Sequence, residues 1–157
     1  RGLISSGMYE LIKQPDLYHQ LERSPEQLPV AIEEMLRWTC PLHYFRRTAT
    51  ADTQINGQAI AEGDRVVMMY SSANFDESVF ERPMEFDITR LSNPHMAFGH
   101  GIHLCLGANL ARMETRVFFE EFFRHFEGIE MTGEPTYIRS NIIHGFKDMP
   151  VRLIARR

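Results

Sequence analysis

A glycine-rich loop around one cysteine runs straight into an amphipathic helix, and few folds accommodate that order. The loop is Phe98-Gly99-His100-Gly101-Ile102-His103-Leu104-Cys105-Leu106-Gly107. Behind it, the spacing of Leu106, Leu110, Met113 and Val117 predicts a long helix to about Phe126. Cys105 therefore stands where unpaired backbone N–H groups and the positive end of a helix dipole favour an anion. A thiol in such a place is drawn toward thiolate. Gly99, Gly101 and Gly107 take side chains away from the sulfur, so a flat group could approach the backbone closely.

On the residues alone, four readings of Cys105 stand. A lone cysteine is most often a buried, inert side chain. A redox thiol is a second reading. A zinc module is a third, because His95, His100, His103 and Cys105 supply nitrogen and sulfur ligands. Their spacing matches no common structural zinc pattern, and the glycines would have no role there. The fourth is a thiolate ligand of a macrocyclic iron.

Composition excludes whole classes. With 43% apolar and 24% charged residues, the chain has an ordinary globular balance, so disordered and fibrous classes are out. The formal net charge is −4 and no Lys/Arg block stands out, which argues against a nucleic-acid partner. The longest apolar run, Val66 to Tyr70, is far below the ~20 residues of a membrane span. Two cysteines, Cys40 and Cys105, are too few for a disulfide scaffold, so a cytoplasmic setting is expected.

The pass along the chain predicts a mainly α protein with a small β region, an α+β class, over one unit of 157 residues. Leu3, Ile4, Met8, Leu11 and Ile12 form a helical stripe already running at Arg1, as if upstream sequence preceded it. Pro15 should end that helix at Gln14, and Asp16 could cap a second one to about Arg23. Ser24-Pro25-Glu26-Gln27 reads as a capped start for a helix carrying Ile32, Glu34, Leu36 and Arg37, which Pro41 closes. Strands are expected over 44–51 and 65–70, with a hairpin over 53–60 turning at Asn56-Gly57. Residues 71–94 lack a period, and short strands are expected between Thr136 and Ile154. On strand 44–51, Arg46 and Arg47 point to opposite faces, so only one can serve a given site.

The pattern Phe98-x-x-Gly101-x-x-x-Cys105-x-Gly107, continued by Leu110-Ala111-Arg112, resembles the haem-binding signature of the cytochrome P-450 monooxygenases. The resemblance spans essentially the whole chain but only the C-terminal part of that fold. It implies a soluble bacterial-type, haem-thiolate monooxygenase carrying haem b, with Cys105 as the axial iron ligand. Phe98, Gly99, Gly101 and Gly107 would then shape the loop, and His103 and Arg47 would hold the propionates. Glu34 and Arg37 match the family's Glu-x-x-Arg brace. The family's further arginine is replaced by Glu85 in Pro83-Met84-Glu85-Phe86, which leaves Arg90 as the substitute. By the same resemblance, His43, Phe45, Ile142 and Ile143 would line the substrate pocket. Ser72 to Glu77 and His144 to Pro150 are most similar to members acting on steroids and long-chain lipids. A ferredoxin or flavodoxin-type donor would supply electrons, docking near Arg112 and Arg116. The acid–alcohol pair that delivers protons to dioxygen is expected upstream of Arg1. A remnant inactive in isolation is the remaining alternative.

Overall fold

The computed structural model describes residues 2–156. The helical stripe becomes α1 (Gly2–Lys13), with its expected beginning at Arg1 outside the described residues. Pro15 then opens α2 (Pro15–Arg23) at its first position, where a missing N–H costs nothing. Asp16 is not the cap. It lies inside the first turn, Gln14 holds the cap position, and no side chain caps the helix. Nor does Ser24 build a capping box. It precedes a single 3₁₀ turn (Pro25–Gln27), and Gln27 spends its amide oxygen accepting from Gln20 Nε2 at 2.8 Å. Helix α3 (Leu28–Thr39) ends as Cys40 turns left-handed at φ 34° and returns its N–H to Leu36 at 3.0 Å.

Among the described residues, eight short strands follow the β pattern in part. Strand β1 (Tyr44–Thr48) pairs antiparallel with β4 (Arg65–Met69), setting Phe45 opposite Met68 and Arg47 opposite Val66. Strands β2 (Thr53–Ile55) and β3 (Gln58–Ile60) form the expected hairpin, with Asn56 and Gly57 both at positive φ (50° and 81°) as a primed turn requires. Tyr70 leaves the strand and opens α4 (Tyr70–Ala73), the one helical turn before the irregular stretch. The 18-residue α5 (Ala108–His125) runs directly into β5 (Phe126–Met131), which no sequence pattern announced. A register shift between Phe126 and Gly128 breaks the alternation that would mark a strand. Strand β5 pairs with β8 (Val151–Ala155), and β6 (Thr136–Tyr137) pairs with β7 (Phe146–Asp148).

The core lies where α1, α3 and α5 meet. Leu11, Leu28, Ile32, Met35 and Phe119 are fully enclosed there, and the irregular segment adds Phe86 and Ile88. This cluster fixes α3 and α5 relative to each other, and those two helices carry the site. Among the described residues, no helix is long and apolar enough to cross a membrane.

Candidate functional site: the cysteine loop and its cavity

The loop closes on itself through one backbone bond, Cys105 N–H to the Phe98 carbonyl at 2.9 Å. Gly99 at φ 72° and Gly101 at φ 68° make the two left-handed bends, and a 3₁₀ turn (Gly101–His103) returns the chain to Cys105. The glycines do not all serve the sulfur, as the sequence suggested. A methyl on Gly101 would meet nothing within 4 Å, so its need is conformational. A methyl on Gly99 would lie 3.2 Å from the Tyr70 hydroxyl. Only Gly107 faces the thiol, where an added Cβ would sit 3.9 Å from Cys105 Sγ. Cys105 is exposed and unpaired, and its carbonyl accepts from Ala108 N–H at the start of α5.

Cys105 opens on a cavity of about 420 Å³. Leu36, Pro41, Leu42 and Phe45 make an apolar wall, closed by Ala97 and Phe98 of the loop. The polar groups on its rim are Arg47, Tyr70 and His103. Arg47 is half-buried while Arg46 is exposed, as strand alternation required of one of the pair. Of the four pocket residues expected, Phe45 alone lines this cavity. His43 instead stacks on His144, with ring centroids 5.1 Å apart, and burial together with His144 pushes its pKa down. Ile142 and Ile143 are exposed. Their turn is tied to the chain behind Leu42 by His43 N–H to the Ile142 carbonyl and by a Leu42–Ile143 bridge. Leu42, from the same segment, lies on the cavity wall.

Beneath the cavity, Arg37 donates side-on to Glu34 through Nη2 and Nε at 2.7 and 2.8 Å, both side chains fully buried. The remaining Arg37 donors reach the carbonyls of Asn74, Pro83 and Glu85. Glu34 also accepts from Asp87 N–H, Asn93 Nδ2 and Arg90 Nε. Arg90 therefore joins this brace, and it holds the carbonyls of Glu81, Arg82 and Glu85 besides. The Glu85 side chain stays outside, paired with Arg82 at 2.7 Å. Asn74, which no sequence signal singled out, is fully buried and links the Arg37 carbonyl to Met96 N–H.

A second pair was missed although Glu33 stands beside Glu34. Arg112 grips Glu33 through two bonds of 2.6 and 2.7 Å, and its guanidinium lies 4.8 Å from the centroid of Phe98. His95 Nε2 is 3.1 Å from the same carboxylate. Burial alone would raise the Glu33 pKa. The bonds from Arg112 and His95 outweigh it and hold the carboxyl at about 2. Arg112 is thus committed to α3, whereas Arg116 stays exposed on α5 and pairs with Glu120 at 2.6 Å. His95 is likewise engaged, and among the described residues no three His, Cys, Asp or Glu side chains converge to hold a metal ion. The zinc module has no geometric support.

The family model described as cytochrome P450 matches residues 25–144. The chain belongs to the cytochrome P450 family. It is 46% identical over 153 residues to the putative cytochrome P450 126 of Mycobacterium tuberculosis, covering 98% of this chain and 37% of that one. It is 40% identical over 154 residues to a steroid C26-monooxygenase of the same species, covering 96% and 41%. The crystal structure of the versatile cytochrome P450 enzyme CYP109B1 from Bacillus subtilis superposes with a TM-score of 0.92 at 44% identity, over 96% of this chain and 41% of that one. This P450 chain therefore spans about two fifths of the length of these relatives. The family implies haem, and the donor set fits it: a thiol, two basic side chains suited to carboxylates, and apolar walls for a flat ring.

Proposed function

We propose that this chain forms the C-terminal, haem-thiolate portion of a P450 domain that inserts one oxygen atom of O2 into a C–H bond of a hydrophobic molecule. One observation carries the proposal: an exposed, unpaired Cys105 thiol ahead of α5 opens on the same apolar cavity as Arg47 and His103. Haem b, when bound, would supply the oxygen chemistry, with thiolate ligation favouring O–O cleavage. Cys105 would supply the sulfur that holds the haem iron, from its exposed place ahead of α5. Arg47 and His103 would hold the propionates, and Leu36, Leu42 and Phe45 would exclude water. Glu34, Arg37 and Arg90 would brace the loop segment from below.

The relative named as a steroid C26-monooxygenase favours a steroid as substrate, and the similar P450BioI, solved with an acyl carrier protein bearing hexadec-9Z-enoic acid, favours a long-chain lipid. A ferredoxin or flavodoxin-type donor would approach from the Cys105 side, where thiolate and surface are closest. The two unpaired cysteines suit the reducing cytoplasm.

The test is spectroscopic. In a full-length protein carrying this chain, Cys105→Ser should abolish the red-shifted absorption of the reduced carbon monoxide complex. A serine variant that keeps the thiolate-type band would assign the ligand to another residue.

A further inference from the structure

The rim of the cavity holds one polar group that the ligand scheme above does not use. Tyr70 opens α4 at the end of β4, directly across from the strand that carries Phe45 and Arg47. Its ring lies against Phe45, with centroids 5.8 Å apart, and so forms part of the cavity wall. Its hydroxyl reaches the cysteine loop at Gly99. A Cβ there would stand 3.2 Å from the hydroxyl oxygen and 3.5 Å from the His103 carbonyl. The absence of that Cβ is what lets the hydroxyl come so near the loop. Among the described residues the hydroxyl has no hydrogen-bond partner, although the Tyr70 carbonyl accepts from Asn74 N–H. The hydroxyl is not sealed from solvent, and it stands free to donate to a group that fills the cavity.

The surroundings define that acceptor. Arg47 can only donate, and His103 donates through at least one ring nitrogen. With Tyr70 they make three donors lining one apolar cavity, a set of groups suited to carboxylate oxygens. We infer that the Tyr70 hydroxyl donates to a haem carboxylate and is a third cofactor-binding residue beside Arg47 and His103. This rests on the haem reading of the cavity. It also gives Gly99 a second role, since a side chain there would displace the hydroxyl as well as strain the backbone.

Tyr70→Phe keeps the ring on Phe45 and removes only the hydroxyl. In the full-length, haem-loaded protein, transfer of haem to excess apomyoglobin should run about tenfold or more faster in the variant, the usual range for losing a bond to a charged acceptor. The same pair is then loaded with haem whose two carboxylates are methyl esters. Wild type and variant should now release the cofactor at matching rates, because the hydroxyl has lost its charged partner. Equal rates with ordinary haem overturn the inference. So does a gap that persists with the ester, which would place the hydroxyl's role within the protein. A wild type lacking the thiolate-type band would overturn both this inference and the haem reading. A normal band with an unchanged Tyr70→Phe rate would overturn this one alone.

Discussion

Arg37 carries five N–H donors, and five hydrogen bonds are made by them, two to Glu34 and three to backbone carbonyls. A cation with no solvent exposure survives there only because nothing on it is left unpaired. Arg37→Ala should therefore cost about 3–5 kcal/mol, because Glu34 loses two charge-assisted bonds while the Asn74 and Pro83 carbonyls lose their side-chain donor. Arg37→Lys should recover little of that, since a point charge cannot reproduce the planar fork. Urea unfolding measures both, and a lysine variant as stable as wild type would show that charge alone matters at this position. Glu33 sets a second, titratable bond. Its pKa is about 2 when folded and near 4.5 otherwise, so the folded state binds fewer protons. That contribution is complete above the unfolded value and is lost as pH falls through the folded one. Acid titration of stability should show Glu33→Gln less stable than wild type at neutral pH, with the difference shrinking between about pH 5 and 2. A gap independent of pH would point to lost packing instead of the Arg112 pair.

Among the elements, α1 packs closely on α3 at Gly7. A Cβ on Gly7 would lie 2.6 Å from Met35 Sδ and 3.0 Å from its Cγ, so glycine there sets how closely the two helices approach. Met35 is fully buried in the cluster that also holds Leu11 and Ile32. Gly7→Val should destabilise the protein by about 1–3 kcal/mol, the usual range for overpacking a filled core. Adding Met35→Ala, itself costly, should make the valine nearly harmless, because the space it needs is then free. A double-mutant cycle by thermal unfolding checks this, and additive effects would mean that the two positions do not meet. The consequence reaches the site, since α3 carries Glu34 and Arg37 below the cavity and Leu36 on its wall.

At the scale of the whole molecule, one stretch of exposed apolar surface follows the cysteine loop and α5. Leu106, Leu110, Met113 and Val117 lie on the solvent side of the cysteine loop and α5, each at least half exposed, and Ile102 and Leu104 extend the patch. The opposite face of α5 buries Thr115, Phe119, Phe122 and Phe123. A continuous patch of this kind is unusual on a monomer in water. The 157-residue chain alone should therefore self-associate, and Leu110→Lys combined with Val117→Lys should reduce the association. Light scattering across a concentration series decides it, and a chain that stays monomeric without these changes would refute the expectation.

Much of this was open to inspection in the amino acids. The helices α1, α3 and α5, the Asn56-Gly57 turn and the loop around Cys105 rest on local rules of periodicity, positive φ and proline placement, which act within a few residues. The pairing of Glu34 with Arg37 was legible for the same reason, being three residues apart on one helix. Its reach to the carbonyls of Asn74, Pro83 and Glu85 was not, because those bonds span 37 to 48 residues and no spacing rule connects them, and Arg90 was named by resemblance alone. Strand β5 was hidden because pairing with β8 overrides a segment whose bulge erases the alternation. Likewise, periodicity marked Leu110, Met113 and Val117 as one helical face but could not say whether that face was buried. The cavity wall was settled by which turn docks behind Leu42 and by Tyr70 leaving its strand. Local propensity fixes backbone conformation, while side-chain neighbours depend on how distant segments pack, and only the folded chain decides that.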